Sequence, residues 1–232
     1  MPTPRLEPPA FVLFDIDGTL IDAAGAGRLS LEIALEATFG CRYEHKVALQ
    51  GRTDLGIFRD YLEFHGISAN AENLQAFRAA YLQHLPHQMT QRQGKLCPGV
   101  PELVGQLAQD PRFEIGLLTG NSKSSARIKL QHFGIDHPFD FGIYGENAHQ
   151  RIDLAKDIEA IVSHHFQRPC RGTEMIVVGD TPDDVALGKA VGAYTIAVLT
   201  GWHHRDDLEQ ATPDLLLESL DNAFSHFESL VS

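Results

Sequence analysis

The sequence predicts an α/β fold: a mostly parallel sheet covered by helices, with a small helical unit inserted after the first strand. Three observations carry that expectation. The apolar run Phe11-Val12-Leu13-Phe14 ends in two carboxylates, Asp15 and Asp17, and an unbroken run of β-formers suits a strand covered on both faces. From Cys97 onward, short apolar runs alternate with helical patterns, the signature of βα units. Between them, from Ala24 to about Gln93, three amphipathic patterns follow one another with no convincing strand.

Taken in order, Met1 to Pro9 is proline-rich and reads as an irregular lead-in. After the first strand, Leu29, Ile33 and Ala37 recur at helical spacing up to Gly40. A second helix starts at the N-cap Thr53, carries Leu55, Phe58 and Leu62, and ends by Gly66. A third, from about Ala71, places Leu74, Phe77, Tyr81 and Leu85 on one face, and Pro86 is expected to close it. The alternating half then predicts a helix over 100–109, a strand over 113–118, and a helix from Ser122 to Gly134. A strand near 139–143, a helix over 152–166, and a strand over 174–178 follow. Beyond these come a helix up to Gly192, strands over 194–199 and 215–217, and a terminal helix after Ser219 or Asp221. The inserted unit spans 22–93, so the core is made of 1–21 and 94–232. An insertion just beyond Asp15 and Asp17 sits over the carboxyl end of the sheet, where ligands of such sheets gather.

The apolar fraction of 43% and charged fraction of 22% are those of a soluble globular protein. With 19 basic and 31 acidic residues the formal charge is −12, which disfavours nucleic acid as a partner. No apolar stretch approaches a membrane span and the N-terminus lacks the pattern of a signal peptide, so no membrane partner and a cytoplasmic location are expected. Cys41, Cys97 and Cys170 are odd in number and widely spaced, suggesting neither a disulfide framework nor a structural zinc site.

Three strand ends carry polar clusters: Asp15/Asp17, Thr119-Gly120-Asn121, and Asp180 through Asp184. Taken singly, Asp17-Gly18 also fits a hairpin turn, and Thr119-Gly120-Asn121 also fits a plain strand-to-helix turn capped by Ser122. Parallel strands would bring all three to one edge. Carboxylates facing one pocket repel unless a cation offsets them, and all-oxygen ligands with room for water fit Mg²⁺.

Together these stretches resemble the haloacid dehalogenase-like (HAD) superfamily. Phe14-Asp15-Ile16-Asp17-Gly18-Thr19-Leu20 is similar to its first motif, Leu118-Thr119-Gly120-Asn121 to its second, and Gly179-Asp180-Thr181-Pro182-Asp183-Asp184 to its fourth. The helical unit between the first two matches its C1 cap arrangement. Pro98-Gly99-Val100 and Gly51-Arg52-Thr53-Asp54 resemble the phosphoglycolate phosphatase-like and β-phosphoglucomutase-like branch.

The resemblance implies a Rossmann-like three-layer core and a Mg²⁺-dependent phosphatase acting on a small phosphorylated metabolite. It implies Asp15 as the nucleophile that forms an aspartyl-phosphate and Asp17 as the acid/base. Thr119, Gly120 and Asn121 would bind phosphate, and Arg52 would face substrate. Asp15, Asp180, Asp184 and the backbone carbonyl of Asp17 would serve the metal, with Asp184 acting directly or through water. Asp183 reads equally well as a surface acid at a helix N-terminus. The third motif departs from the family pattern: where relatives commonly carry Lys-Pro, this chain has Glu146-Asn147-Ala148-His149-Gln150-Arg151-Ile152-Asp153. Arg151 is the expected cation, with Lys156 in reserve, and Lys123, just past the second motif, is a further candidate charge on the phosphate side. A phosphomutase and a non-catalytic phosphate-binding protein are the alternatives, and a monomer or weak homodimer is expected. A phosphonate hydrolase would need a lysine from the helical unit, where only Lys46 and, at its edge, Lys95 are on offer.

Overall fold

A computed structural model describes residues 6–42, 44 and 47–231. Lys46 and the first five positions lie outside the described residues. Strand β1 (Ala10–Phe14), buried along its whole length, lies in the middle of a six-stranded sheet in the order β5-β4-β1-β6-β7-β8. Its neighbours are β4 (Phe113–Thr119) and β6 (Met175–Gly179), with Leu13 opposite Gly116 on one side and Val177 on the other. β5 (Gly142–Tyr144) lies outside β4, while β7 (Tyr194–Val198) and β8 (Leu215–Leu217) continue beyond β6, all of them parallel.

The strand period of two sends alternate side chains of β1 to opposite layers. Val12 and Phe14 pack in one core cluster with Leu103 and Leu107 of α4 (Val100–Gln109) and Phe227 of α9 (Phe224–Leu230). Phe11 and Leu13 pack in the other with Ile158 and Val162 of α6 (Ala155–Phe166) and Leu187 of α7 (Pro182–Ala190). Covering on both faces is the reason β1 carries no polar alternation.

Between β1 and β4 the chain forms α1 (Ala26–Phe39), α2 (Asp54–Phe64) and α3 (Ala71–Gln91). It leaves and returns through a two-residue antiparallel ribbon, β2 (Ile21–Asp22) against β3 (Lys95–Leu96), which the sequence pattern did not reveal. The Thr53 hydroxyl caps α2 by accepting from the Gly56 amide at 3.0 Å, and Asn70 caps α3 by accepting from the Asn73 amide at 2.9 Å. Phe58 packs against Phe77 and Tyr81 with ring centroids 4.9 and 5.5 Å apart, and this packing runs on into the cluster around Val12 and Phe14.

Four local expectations are corrected. Pro86 does not end the third helix, which runs to Gln91. Pro86 faces solvent while Leu85, Gln88 and Met89 are buried, so the apolar face continues past it and water can serve the freed carbonyl. The buried face of α1 is Ala26, Ser30, Leu31, Ala34 and Leu35, displaced from the Leu29/Ile33/Ala37 stripe. The third-motif helix opens with a 3₁₀ turn, Arg151–Leu154, before α6. A short helix, α8 (Arg205–Ala211), lies between β7 and β8, where the sequence pattern predicts no element.

Candidate active site

The strand order makes β4, β1 and β6 adjacent, so their carboxyl ends meet where the chain diverges to either side of β1. Asp15 follows β1 directly, its amide donating to Val178 O at 2.9 Å. Asp180 follows β6, and Asp184 sits in the first turn of α7. Each of these three buried carboxylates offers an oxygen within 4.8 Å of the others. Backbone without side chains makes the room. Gly18 has φ of 86°, a left-handed conformation, and a Cβ there would lie 2.4 Å from Asp180 Oδ2; a Cβ on Gly201 would lie 1.7 Å from the same oxygen.

The electrostatics match a site built around a cation. Burial pushes the Asp15 carboxyl up to about 6; Arg151 opposes the rise, and Asp184 and Asp17 add to it. Burial together with Asp15 and Asp184 raises Asp180 well above the usual carboxylate range. A divalent ion would replace the protons these groups otherwise hold. Asp184 is already occupied. Its Oδ1 accepts from Arg151, and its Oδ2 accepts from the Thr181 hydroxyl at 2.7 Å and the Thr181 amide at 3.1 Å. Both oxygens being engaged favours contact with a metal through water over direct ligation.

Arg151 is where the sequence placed the fixed cation. It is buried, its Nη2 lies 3.0 Å from Asp15 Oδ1, and the same nitrogen donates to Leu118 O at 2.8 Å and to Asp184. Burial alone would lower its basicity, but Asp15 and Asp184 more than compensate, so the net shift is upward. Neither candidate lysine reaches the site: the Lys156 side chain is 76% exposed and pairs with Asp153 at 3.1 Å, and Lys123 is exposed. Asp183 stands outside the cluster, against Gly51 of the helical unit.

Thr119 and Asn121 are buried beside Asp17. The Thr119 hydroxyl accepts from the Asn121 amide at 3.2 Å and from Asn121 Nδ2 at 2.9 Å, and Asn121 Nδ2 also lies 2.9 Å from Asp17 Oδ2. Gly120 joins the two halves of the chain, its carbonyl accepting from the Asp54 amide at 2.8 Å. Arg52 lines the cavity, but its guanidinium is bonded to Asp60 of α2, so the substrate-facing role expected of it competes with an internal ion pair. Trp202 lines the rim, 68% exposed, whereas the neighbouring His203 leans toward Asp207 at 4.0 Å. Asp15, Asp17, Gly120, Asn121, Arg151 and Asp180 line a cavity of about 570 Å³ that residues of the helical unit close on its other side.

Two participants escaped the sequence reading. Lys129 of α5 (Lys123–Phe133) donates to Asp17 Oδ2 at 2.5 Å and to Asn121 Oδ1 at 2.6 Å. Its signal was available in the helical period: Ser122, Ser125 and Lys129 are three and four apart, on the stripe that faces back to the strand end. Asp54 was quoted with its turn but given no role. Its Oδ2 accepts from the Ser122 amide at 2.8 Å and from the Ser125 hydroxyl at 2.5 Å, fastening α2 to the start of α5.

The haloacid dehalogenase-like hydrolase family model matches residues 12–198. A phosphoglycolate phosphatase of Vibrio vulnificus is 24% identical over 217 residues, covering 90% of this chain and 92% of its own. One from Synechococcus elongatus is 26% identical over 215 residues, with 90% and 92% covered. Among solved structures, a predicted phosphoglycolate phosphatase from Haemophilus somnus superposes with a TM-score of 0.71 at 18% identity, covering 98% of this chain and 99% of that one. With the family match spanning the strand-end clusters and the cavity they enclose, the chain belongs to the haloacid dehalogenase-like hydrolases.

Proposed function

We propose that this protein hydrolyses a small phosphomonoester through an aspartyl-phosphate on Asp15, with Mg²⁺ as cofactor. The observation that carries this reading is the contrast between two carboxylates of one strand end. Asp15 is buried beside Arg151, Asp180 and Asp184, whereas the Asp17 side chain is 40% exposed to the cavity and held by Lys129 and Asn121. One is placed to attack, the other to exchange protons with what enters.

Asp15 attacks phosphorus in line as the ester P–O bond breaks, and the departing oxygen takes the proton of Asp17. Water then attacks the aspartyl-phosphate, the bond to Asp15 breaks, and Asp17 recovers its proton from that water. Arg151 holds Asp15 in line and balances charge gathered on the phosphoryl oxygens. The Thr119 hydroxyl, already accepting from Asn121, keeps its own proton for a phosphoryl oxygen, and the amides of Gly120 and Asn121 stand close by. Asp15, Asp180 and the Asp17 carbonyl are the ligands that would hold Mg²⁺, with Asp184 behind a water. Bound there, the ion neutralises phosphate and carboxylate charge together.

The named relatives favour phosphoglycolate as substrate, and the resemblance to the β-phosphoglucomutase-like branch adds a sugar phosphate as the other candidate. The helical unit would act as a cap that excludes water during phosphoryl transfer. Phosphate release from p-nitrophenyl phosphate should require Mg²⁺, stop in EDTA, and fall below detection in Asp15→Asn. Full activity of that variant would remove Asp15 from the role of nucleophile. An inert wild type across a broad panel of phosphate esters would instead favour a binding protein on the same fold.

A further inference from the structure

We propose that Lys129 is the positioning residue for proton transfer by Asp17, holding its carboxylate at the angle from which it serves the departing oxygen; this rests on the phosphatase reading. Asp17 is the one site carboxylate with freedom to turn: its side chain is 40% exposed, whereas that of Asp15 is 9% exposed and that of Asp184 2%. Among the described residues its Oδ2 receives both restraining bonds, from Lys129 at 2.5 Å and Asn121 at 2.9 Å, and its Oδ1 receives none. The pair of bonds restrains the plane of the carboxylate and leaves Oδ1 without a protein donor among the described residues. A carboxylate held by a single bond would turn about Cβ–Cγ.

Lys129 is itself placed to hold rather than to wander. Its side chain is 6% exposed, and it gives a second proton to Asn121 Oδ1 at 2.6 Å, while Asn121 is braced on Thr119. Burial alone would lower its basicity; Asp17, with Asp54 beyond it, more than offsets that. The lid over it belongs to the helical unit. A methyl group on Gly27 of α1 would stand 3.6 Å from the Tyr81 hydroxyl and 3.9 Å from Lys129 Nζ, so α1 and α3 approach the ammonium closely and leave its side chain little exposed. A buried lysine without a partner is strongly disfavoured, and this one spends its charge on the carboxylate whose direction matters for the chemistry.

Charge balance alone would make Lys129 equally important for every substrate, whereas steering of Asp17 makes its importance depend on the leaving group. An alkoxide needs a proton to depart; p-nitrophenolate hardly does. The test compares kcat/KM, which reports the steps through leaving-group departure, for p-nitrophenyl phosphate and for an alkyl ester such as phosphoglycolate or ethyl phosphate, in wild type and Lys129→Met. We expect kcat/KM for the alkyl ester to fall by about 10²-fold and that for the aryl ester by less than about 5-fold, on the scale of a misplaced catalytic group. Lys129→Gln keeps one donor and should fall between the two on the alkyl ester; it carries the comparison if the methionine variant does not fold. Equal losses on both esters, or no loss on either, overturn the proposal. A wild type inactive on both esters fails the phosphatase reading itself, and the two failures are thereby told apart.

Discussion

At the scale of single residues, Arg151 meets the buried carboxylates through one end of its guanidinium. One nitrogen, Nη2, meets Asp15, Asp184 and the Leu118 carbonyl together, and Nε is buried with no partner among the described residues. The guanidinium is therefore used as a point charge rather than as a fork, a task an ammonium could also perform. Arg151→Met would leave Asp15 and Asp184 facing each other without a cation. It should destabilise the metal-free protein by about 3–5 kcal/mol, the usual loss when one partner of a buried pair is removed. Urea unfolding in EDTA measures this, and an unchanged midpoint would show that the carboxylates do not depend on Arg151. Arg151→Lys, able to present three protons at one point, should retain part of both stability and phosphate release.

At the scale of elements, most of the fold was legible because its signals are local. β1 reads as a buried strand from its unbroken apolar run, α4 from its stripe of Val100, Leu103 and Leu107, and α5 from Ser122 and Gly134 at its ends. The polar strand ends were legible for the same reason, and the parallel sheet then brought them together. What stayed hidden depends on partners distant in sequence. Lys129 is an ordinary helical lysine until Asp17, 112 positions away, is set against it, and Asp54 an ordinary first-turn acid until it meets Ser122 and Ser125. The β2–β3 ribbon consists of two residues on each side, too short to leave a pattern. Pro86 misled because its local rule is right and its context overrides it. Proline still costs the helix a hydrogen bond, yet the buried face of α3 carries on through Gln88 and Met89. Replacing it tests that account: Pro86→Ala should stabilise the protein by roughly 1–3 kcal/mol in urea unfolding, as the helix regains a bond at a solvent-facing position. A loss of stability would mean that α3 needs the bend.

At the scale of the whole molecule, the site sets how stability responds to pH and metal. The native protein raises Asp15 to about 6 and Asp180 well above the usual range, chiefly by burial, so between about pH 4 and 6 it holds protons that the unfolded chain has released. More protons bound in the native state means that stability from these groups is fully present below the unfolded values and is lost as pH rises through the folded ones. The metal-free protein should therefore lose stability from this cluster on going from pH 5 to pH 7.5. Mg²⁺ bound there would reverse the sign locally, since it would take the carboxylates the protons have left. At about 100 times its dissociation constant an ion bound only by the native state adds about 2.7 kcal/mol, which for a chain of this length raises Tm by roughly 5–10 °C. Thermal melts with and without Mg²⁺ should show that rise at pH 7.5 and a much smaller one at pH 5, where protons compete for the same oxygens. Asp15→Asn should melt higher than wild type without metal at pH 7.5 and lose most of the response to Mg²⁺, because it removes both a buried like charge and a ligand. A response of equal size at both pH values, or one that survives in Asp15→Asn, would place the ion away from this cluster.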